Sequence, residues 1–119
     1  MAQILIIDDS LLMRLKTRII LEKGQHEVIE ATNGEDGLSK MVEKKPEFIV
    51  LDLLMPGMNG PDVLRKMREL KIDIPVVVCS ADIQETTKKE CFDLGIKKFL
   101  NKPPQEIELL EAINTYCNP

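Results

Sequence analysis

Five short apolar or half-apolar runs punctuate this chain, and segments of helical periodicity fill the gaps between them. The runs are Ile4-Leu-Ile-Ile7, Glu27-Val-Ile-Glu30, Phe48-Ile-Val-Leu51, Pro75-Val-Val-Val-Cys79 and Lys98-Phe-Leu100. Each is too short for a helix, and the continuously apolar ones read as strands buried on both faces. The second has polar ends, which suits a sheet edge. After Ser10, a good N-cap, Leu12, Leu15 and Ile19 recur at helical spacing until Gly24. Asn33-Gly34 is a turn signal, and Leu38, Met41 and Val42 mark a helix face that stops before Pro46. Pro61 fits the first turn of a helix carrying Val63, Leu64 and Met67. Ile83, Thr87, Cys91 and Leu94 line a fourth helix closed by Gly95, and Pro104 opens a fifth with Ile107, Leu110, Ile113 and Cys117 on one face. This strict alternation predicts an α/β fold, a doubly wound (βα)5 unit whose five parallel strands are covered by helices on both faces. Right-handed crossovers and a switch beside the first strand give the strand order 2-1-3-4-5. The length of 119 residues fits one domain spanning 1–119.

Composition narrows the partners. One Tyr, three Phe and no Trp leave an aliphatic core. A net charge of −4 argues against direct nucleic-acid binding through the domain surface. No apolar run approaches a membrane span, and Met1-Ala2-Gln3 does not open a signal peptide, so a cytoplasmic protein without membrane contact is expected. Cys79, Cys91 and Cys117 lack metal-ligand spacing and read as reduced thiols. His26, at the head of a strand, reads as a surface or strand-edge residue and not as a catalytic base.

The polar residues fall at the strand ends. Asp8 and Asp9 end the first strand, Asp52 the third, Ser80 the fourth and Lys102 the fifth. In a parallel sheet these ends share one edge, and ligands bind there beside the switch point. Three carboxylates and one ammonium leave an excess of negative charge, with repulsion of up to about 4 kcal/mol per pair at contact distance. A divalent cation resolves it, and all-oxygen donors select Mg²⁺, or Mn²⁺, over zinc. A carboxylate nucleophile, Mg²⁺, a hydroxyl and a lysine together suit phosphoryl transfer. Taken singly the residues have plainer readings: a helix-dipole partner for Asp8-Asp9, an N-cap for Ser80, a solvated loop lysine for Lys102.

The segments ILIIDDS, FIVLDLLMPGMNG, PVVVCSA and KKFLNKP, in that order, resemble the receiver domains of two-component response regulators, and in length the stand-alone chemotaxis type. The resemblance implies a flavodoxin-like receiver fold and a phosphorylation-dependent signalling switch that catalyses only its own phosphorylation and dephosphorylation. By that resemblance Asp52 is the phosphoacceptor. Asp9 is a direct Mg²⁺ ligand, Asp8 helps through water, and Asp52 and the backbone carbonyl of Leu54 complete the metal set. Ser80 is the switch hydroxyl, Lys102 pairs with the phosphoryl group, and Phe99 is the aromatic switch. Lys102-Pro103 matches a bond commonly cis in the family. The implied partners are a histidine kinase or phosphotransfer protein and an output protein. The output face is formed by the fourth helix, fifth strand and fifth helix, on a monomer or weak phosphorylation-dependent dimer.

The chain departs from the commonest pattern at several positions. Ser80 stands where Thr is usual, Phe99 where Tyr is frequent, Asn59 where Asp is usual, and Leu54 where many members are polar. Leu54 and Asp82 flank the attacking water and are expected to tune the lifetime of the phosphoryl group. The alternatives are a receiver fragment of a larger regulator or hybrid kinase, and a non-switching interaction module of the same fold. A flavodoxin-type FMN carrier is disfavoured because Asp8-Asp9 would repel its phosphate. A dehalogenase-type phosphatase is disfavoured because that class places its aspartates as D-x-D. The chain ends at Asn118-Pro119 just after the fifth helix, so output is expected through protein contacts.

Overall fold

The computed structural model describes residues 1–81 and 84–117. Five β/α units follow one another: β1 (Gln3–Ile7), α1 (Leu11–Lys23), β2 (Glu27–Ala31), α2 (Gly34–Lys44), β3 (Phe48–Leu51), α3 (Gly60–Glu69), β4 (Val76–Ser80), α4 (Glu85–Asp93), β5 (Lys98–Asn101) and α5 (Glu106–Tyr116). The strands form one parallel sheet in the order β2-β1-β3-β4-β5, as the alternation predicts. β1 and β3 are neighbours with Ile7 beside Leu51, so the residues that follow them emerge side by side.

Because side chains alternate across a strand, the central strands feed two core layers. Leu5, Ile7, Ile49, Leu51, Val76 and Val78 face α2, α3 and α4, which contribute Met41, Val63, Met67 and Cys91. Ile4, Ile6, Phe48, Val50, Val77 and Cys79 face α1 and α5, which contribute Leu21, Leu109, Ala112 and Ile113. The core is aliphatic apart from Phe48, as the composition requires.

The helix ends follow local chemistry. Ser10 caps α1 by accepting from the Met13 N–H, Asn33 caps α2 from the Asp36 N–H, and Asn59 forms a reciprocal capping box with Asp62 at α3. Asn33-Gly34 is thus the start of a helix and more than a turn. Gly24 ends α1, but the left-handed residue there is Gln25, at φ 66°. The N-cap of α4 is Gln84, with no side-chain capping bond, so Ser80 is not its N-cap. α5 begins at Glu106, two residues after Pro104.

The helix faces depart most from the periodicity. In α1 the expected face of Leu12, Leu15 and Ile19 is exposed, and Arg14, Thr17 and Leu21 point inward. The apolar period marks the wrong side because a buried arginine, bonded through Nε and Nη1, takes the inner one. Val42 of α2 and Ile107 of α5 are likewise exposed, and Leu109 and Ala112 join Ile113 in the core. Leu110 and Cys117 are half-buried. In α4 Cys91 is buried and Thr87 and Leu94 are half-buried; Ile83 lies outside the described residues. His26 precedes β2, and its Nδ1 accepts from the Ala2 N–H at 3.1 Å. Burial and the nearby N-terminal charge lower its pKa, as suits a neutral strand-edge imidazole.

Candidate functional site

Asp8 follows β1 and Asp52 follows β3, the two strands adjacent at the switch point of the sheet. Asp8, Asp9 and Asp52 bring carboxylate oxygens within 4.8 Å of one another, with Asp8 and Asp52 buried and Asp9 exposed. Lys102, just past β5, reaches across. Its Nζ lies 2.8 Å from Asp8 Oδ2 and 3.2 Å from Asp52 Oδ2. The Lys102 N–H donates to the Ser80 carbonyl at 3.1 Å, which ties the lysine loop to the end of β4, and Lys102-Pro103 is cis. Ser80 is fully buried and pairs in register with Asn101. The four strand ends therefore meet at one place, as the sequence predicts.

The backbone sets each carboxylate. Asp8 Oδ1 accepts from the Ser10 N–H at 2.9 Å, and the Asp52 N–H donates to the Ile7 carbonyl at 2.9 Å. The Leu54 N–H approaches Asp52 Oδ1 at 3.4 Å, while its side chain stands in solvent. The loop after β3 is drawn in at Gly60, whose N–H donates to the Leu53 carbonyl at 3.0 Å. A Cβ at Gly60 would lie 2.8 Å from Leu53 Cα and 3.0 Å from the Asp52 carbonyl oxygen, so only glycine permits this approach.

Electrostatics at the site are uneven. Burial, then the Asp8 charge, pushes the Asp52 carboxyl above its usual range, and Lys102 offsets this only in part. Burial alone would lower Lys102, but the hydrogen bond and charge of Asp8, with those of Asp52, outweigh it and hold the ammonium above its usual value. The beginning of β5 carries Phe99, half-buried against the layer of α2, α3 and α4, with Lys88 Nζ 5.3 Å from the ring centroid. Asp82 lies outside the described residues. Hard carboxylate oxygens at this spacing suit one oxygen-preferring divalent ion, since the donors are of the class that such ions select.

Sequence reasoning missed Arg14 and Glu30. Arg14 is 9% exposed and donates from Nη1 to the Asp8 carbonyl at 2.7 Å and from Nε to Glu30 Oε1 at 2.8 Å. The available signal was the spacing of Arg14, Arg18 and Glu22 along one side of α1, a charge pattern where an apolar one was sought. Cys79, which the sequence marks as a reduced thiol, is free and buried in the layer of α1 and α5, and burial pushes its thiol pKa up to about 12.

The family model of the response regulator receiver domain matches residues 4–114. The chemotaxis protein CheY of Thermotoga maritima is 36% identical over 113 residues, with 94% of each chain covered. Protein PilH of Pseudomonas aeruginosa is 38% identical over 116 residues, with 96% of each covered. Among solved structures, that of the Vibrio cholerae chemotaxis protein CheY4 superposes with a TM-score of 0.89 at 25% identity, covering 98% of both chains. The strand order, the ordered motifs and these likenesses agree: the chain belongs to the response regulator receiver domains of two-component signalling.

Proposed function

We propose that residues 1–119 are a single receiver domain in which Asp52 accepts a phosphoryl group from the phosphohistidine of a histidine kinase or phosphotransfer protein. The observation that carries this reading is the position of Asp52, 3% exposed at a strand end, 3.2 Å from Lys102 and grouped with Asp8 and Asp9. An Asp52 carboxylate oxygen attacks phosphorus, the P–N bond breaks, and its electron pair returns to the imidazole of the donor. Lys102 lies where it can neutralise charge on the transferred group. Asp8, Asp9, Asp52 and the Leu54 carbonyl would hold Mg²⁺, or Mn²⁺, which when bound offsets the charge of the phosphoryl oxygens. Burial first and the Asp8 charge second raise the Asp52 pKa, and a cation would ease both, which supports such a site.

The new group adds about 1.5 to 2 negative charges and strong acceptors. The Ser80 hydroxyl moves to bond it, and Phe99 turns inward, which biases the α4–β5–α5 face between two states and so its affinity for an output protein. Leu54 and Asp82 flank the path of hydrolytic water and set the lifetime of the acyl phosphate. The domain is a cytoplasmic signalling module, monomeric or weakly dimeric when phosphorylated, catalysing only its own phosphorylation and dephosphorylation. Among the described residues no helix is long and apolar enough to cross a membrane.

Brief incubation with acetyl phosphate and Mg²⁺ tests the acceptor. Intact-mass analysis is expected to give one added phosphoryl group, lost with EDTA and absent in Asp52→Asn. Equal labelling of that variant would remove Asp52 from the role.

A further inference from the structure

Arg14 is out of place by the ordinary rules of a surface helix. Leu11, Leu15 and Ile19 form an apolar row on α1 at helical spacing, yet they face solvent, and an arginine occupies the inner side. Burying a guanidinium is costly unless its donors are bonded and its charge is paired. Both conditions are met. Nε meets Glu30 Oε1 at 2.8 Å, and Nη1 meets the Asp8 carbonyl at 2.7 Å. Glu30 is held in turn by Arg18, whose Nη2 lies 2.6 Å from Oε2. The two arginines outweigh the burial of Glu30 and keep its carboxyl below the usual range, so the network is charged at neutral pH.

What this network reaches is the turn that carries the acidic pair. Asp8 lies one residue past the last ladder pair, Ile7 with Ala31. Its N–H still donates to the Ala31 carbonyl at 3.1 Å. Its own carbonyl takes the buried Arg14 donor. Its carboxylate is shared between the Ser10 N–H and Lys102. The carbonyl of the peptide linking Asp8 to Asp9 is therefore held by Arg14, while the Ser10 N–H and Lys102 hold the Asp8 carboxylate. Arg14 itself touches none of the three carboxylates that would hold a cation.

We propose that Arg14, oriented by Glu30, is a positioning residue: it fixes the β1–α1 turn so that Asp8 and Asp9 present their carboxylates to a divalent cation together with Asp52. This rests on the reading of the site as cation-binding. A fork with two separate bonds explains arginine here. Lysine has one nitrogen, which cannot serve Asp8 and Glu30 with the same geometry.

Mn²⁺ serves as the probe, its free-ion EPR signal giving affinity independently of any phosphorylation, with melting temperature recorded alongside. Arg14→Met is expected to weaken Mn²⁺ binding about tenfold, the lower end of the range for removing a group that orients a ligand. Arg14→Lys is expected to fall between it and the parent. Leu21→Ala, a core truncation on the same helix, is expected to lower the melting temperature and leave affinity unchanged. If Arg14→Met fails to fold, Glu30→Gln carries the test, with a smaller but measurable loss of affinity. Parental affinity in folded Arg14→Met, or in Glu30→Gln when that variant carries the test, overturns the positioning role alone. A parent protein that binds no Mn²⁺ overturns it together with the cation site.

Discussion

At Asp52, burial and the neighbouring Asp8 both disfavour the charged form, and Lys102 offsets them only partly. A carboxyl whose pKa is higher in the folded chain than in the unfolded one contributes stability that is complete below the unfolded value, near 3.8, and lost as pH rises through the folded one. At neutral pH the Asp52 charge is therefore a burden on the fold. Asp52→Asn is expected to raise the melting temperature at pH 7 in EDTA, and to abolish most of the further rise expected of the parent with Mg²⁺. The Lys102 pKa is also raised, but at pH 7 its charge stabilises the fold. Its pKa is raised on folding, so its contribution is present in full below its unfolded value, near 10.5, and Lys102→Met is expected to melt lower than the parent at pH 7. Thermal scans by circular dichroism, with and without Mg²⁺, check both; a lower melting temperature for Asp52→Asn in EDTA would contradict this charge balance.

Among the elements, strands and helices differ in how plainly the chain announces them. The central strands are buried on both sides, so their apolar runs are unbroken, and the polar residue that ends each run is the one that reaches the site. Asp8, Asp52 and Ser80 were legible for that reason, whereas Lys102 follows the half-buried edge strand β5. A helix buries one face only, and its direction must be read from a period that polar residues can share. In α1 the inner face is Arg14, Thr17 and Leu21, two of them polar, and the Leu12–Leu15–Ile19 row drew the reading outward. The Arg14–Glu30 pair joins residues sixteen apart in the chain, and no local pattern reports such a pairing. The difference between the two faces has a stability consequence. Leu15, 51% exposed, is expected to tolerate Ala within about 0.5 kcal/mol. Leu21, fully buried, is expected to lose about 2–5 kcal/mol on the same change. Urea unfolding of the two variants decides, and comparable losses would mean that α1 packs through its leucine row.

For the molecule as a whole, the sheet is a partition between two separate core layers. Cys79 sits in the layer of α1 and α5, and Cys91 in the layer of α2, α3 and α4. Cys117 is half-buried and bonds the Glu47 carbonyl at the far end. In a Cys117→Ala background the two remaining thiols are thus native clocks, one on each side of the partition. A thiol reagent reaches either only when its own layer parts, and timed alkylation read by mass spectrometry dates each event. α4 is nine residues long and lacks a side-chain N-cap bond, whereas β4 is flanked by strands on both sides. Cys91 is expected to be alkylated first in mild urea, with Cys79 following only at the rate of global unfolding. Identical rates would mean that both layers part in one event. The two cysteines would so report whether α4 loosens ahead of the rest of the domain.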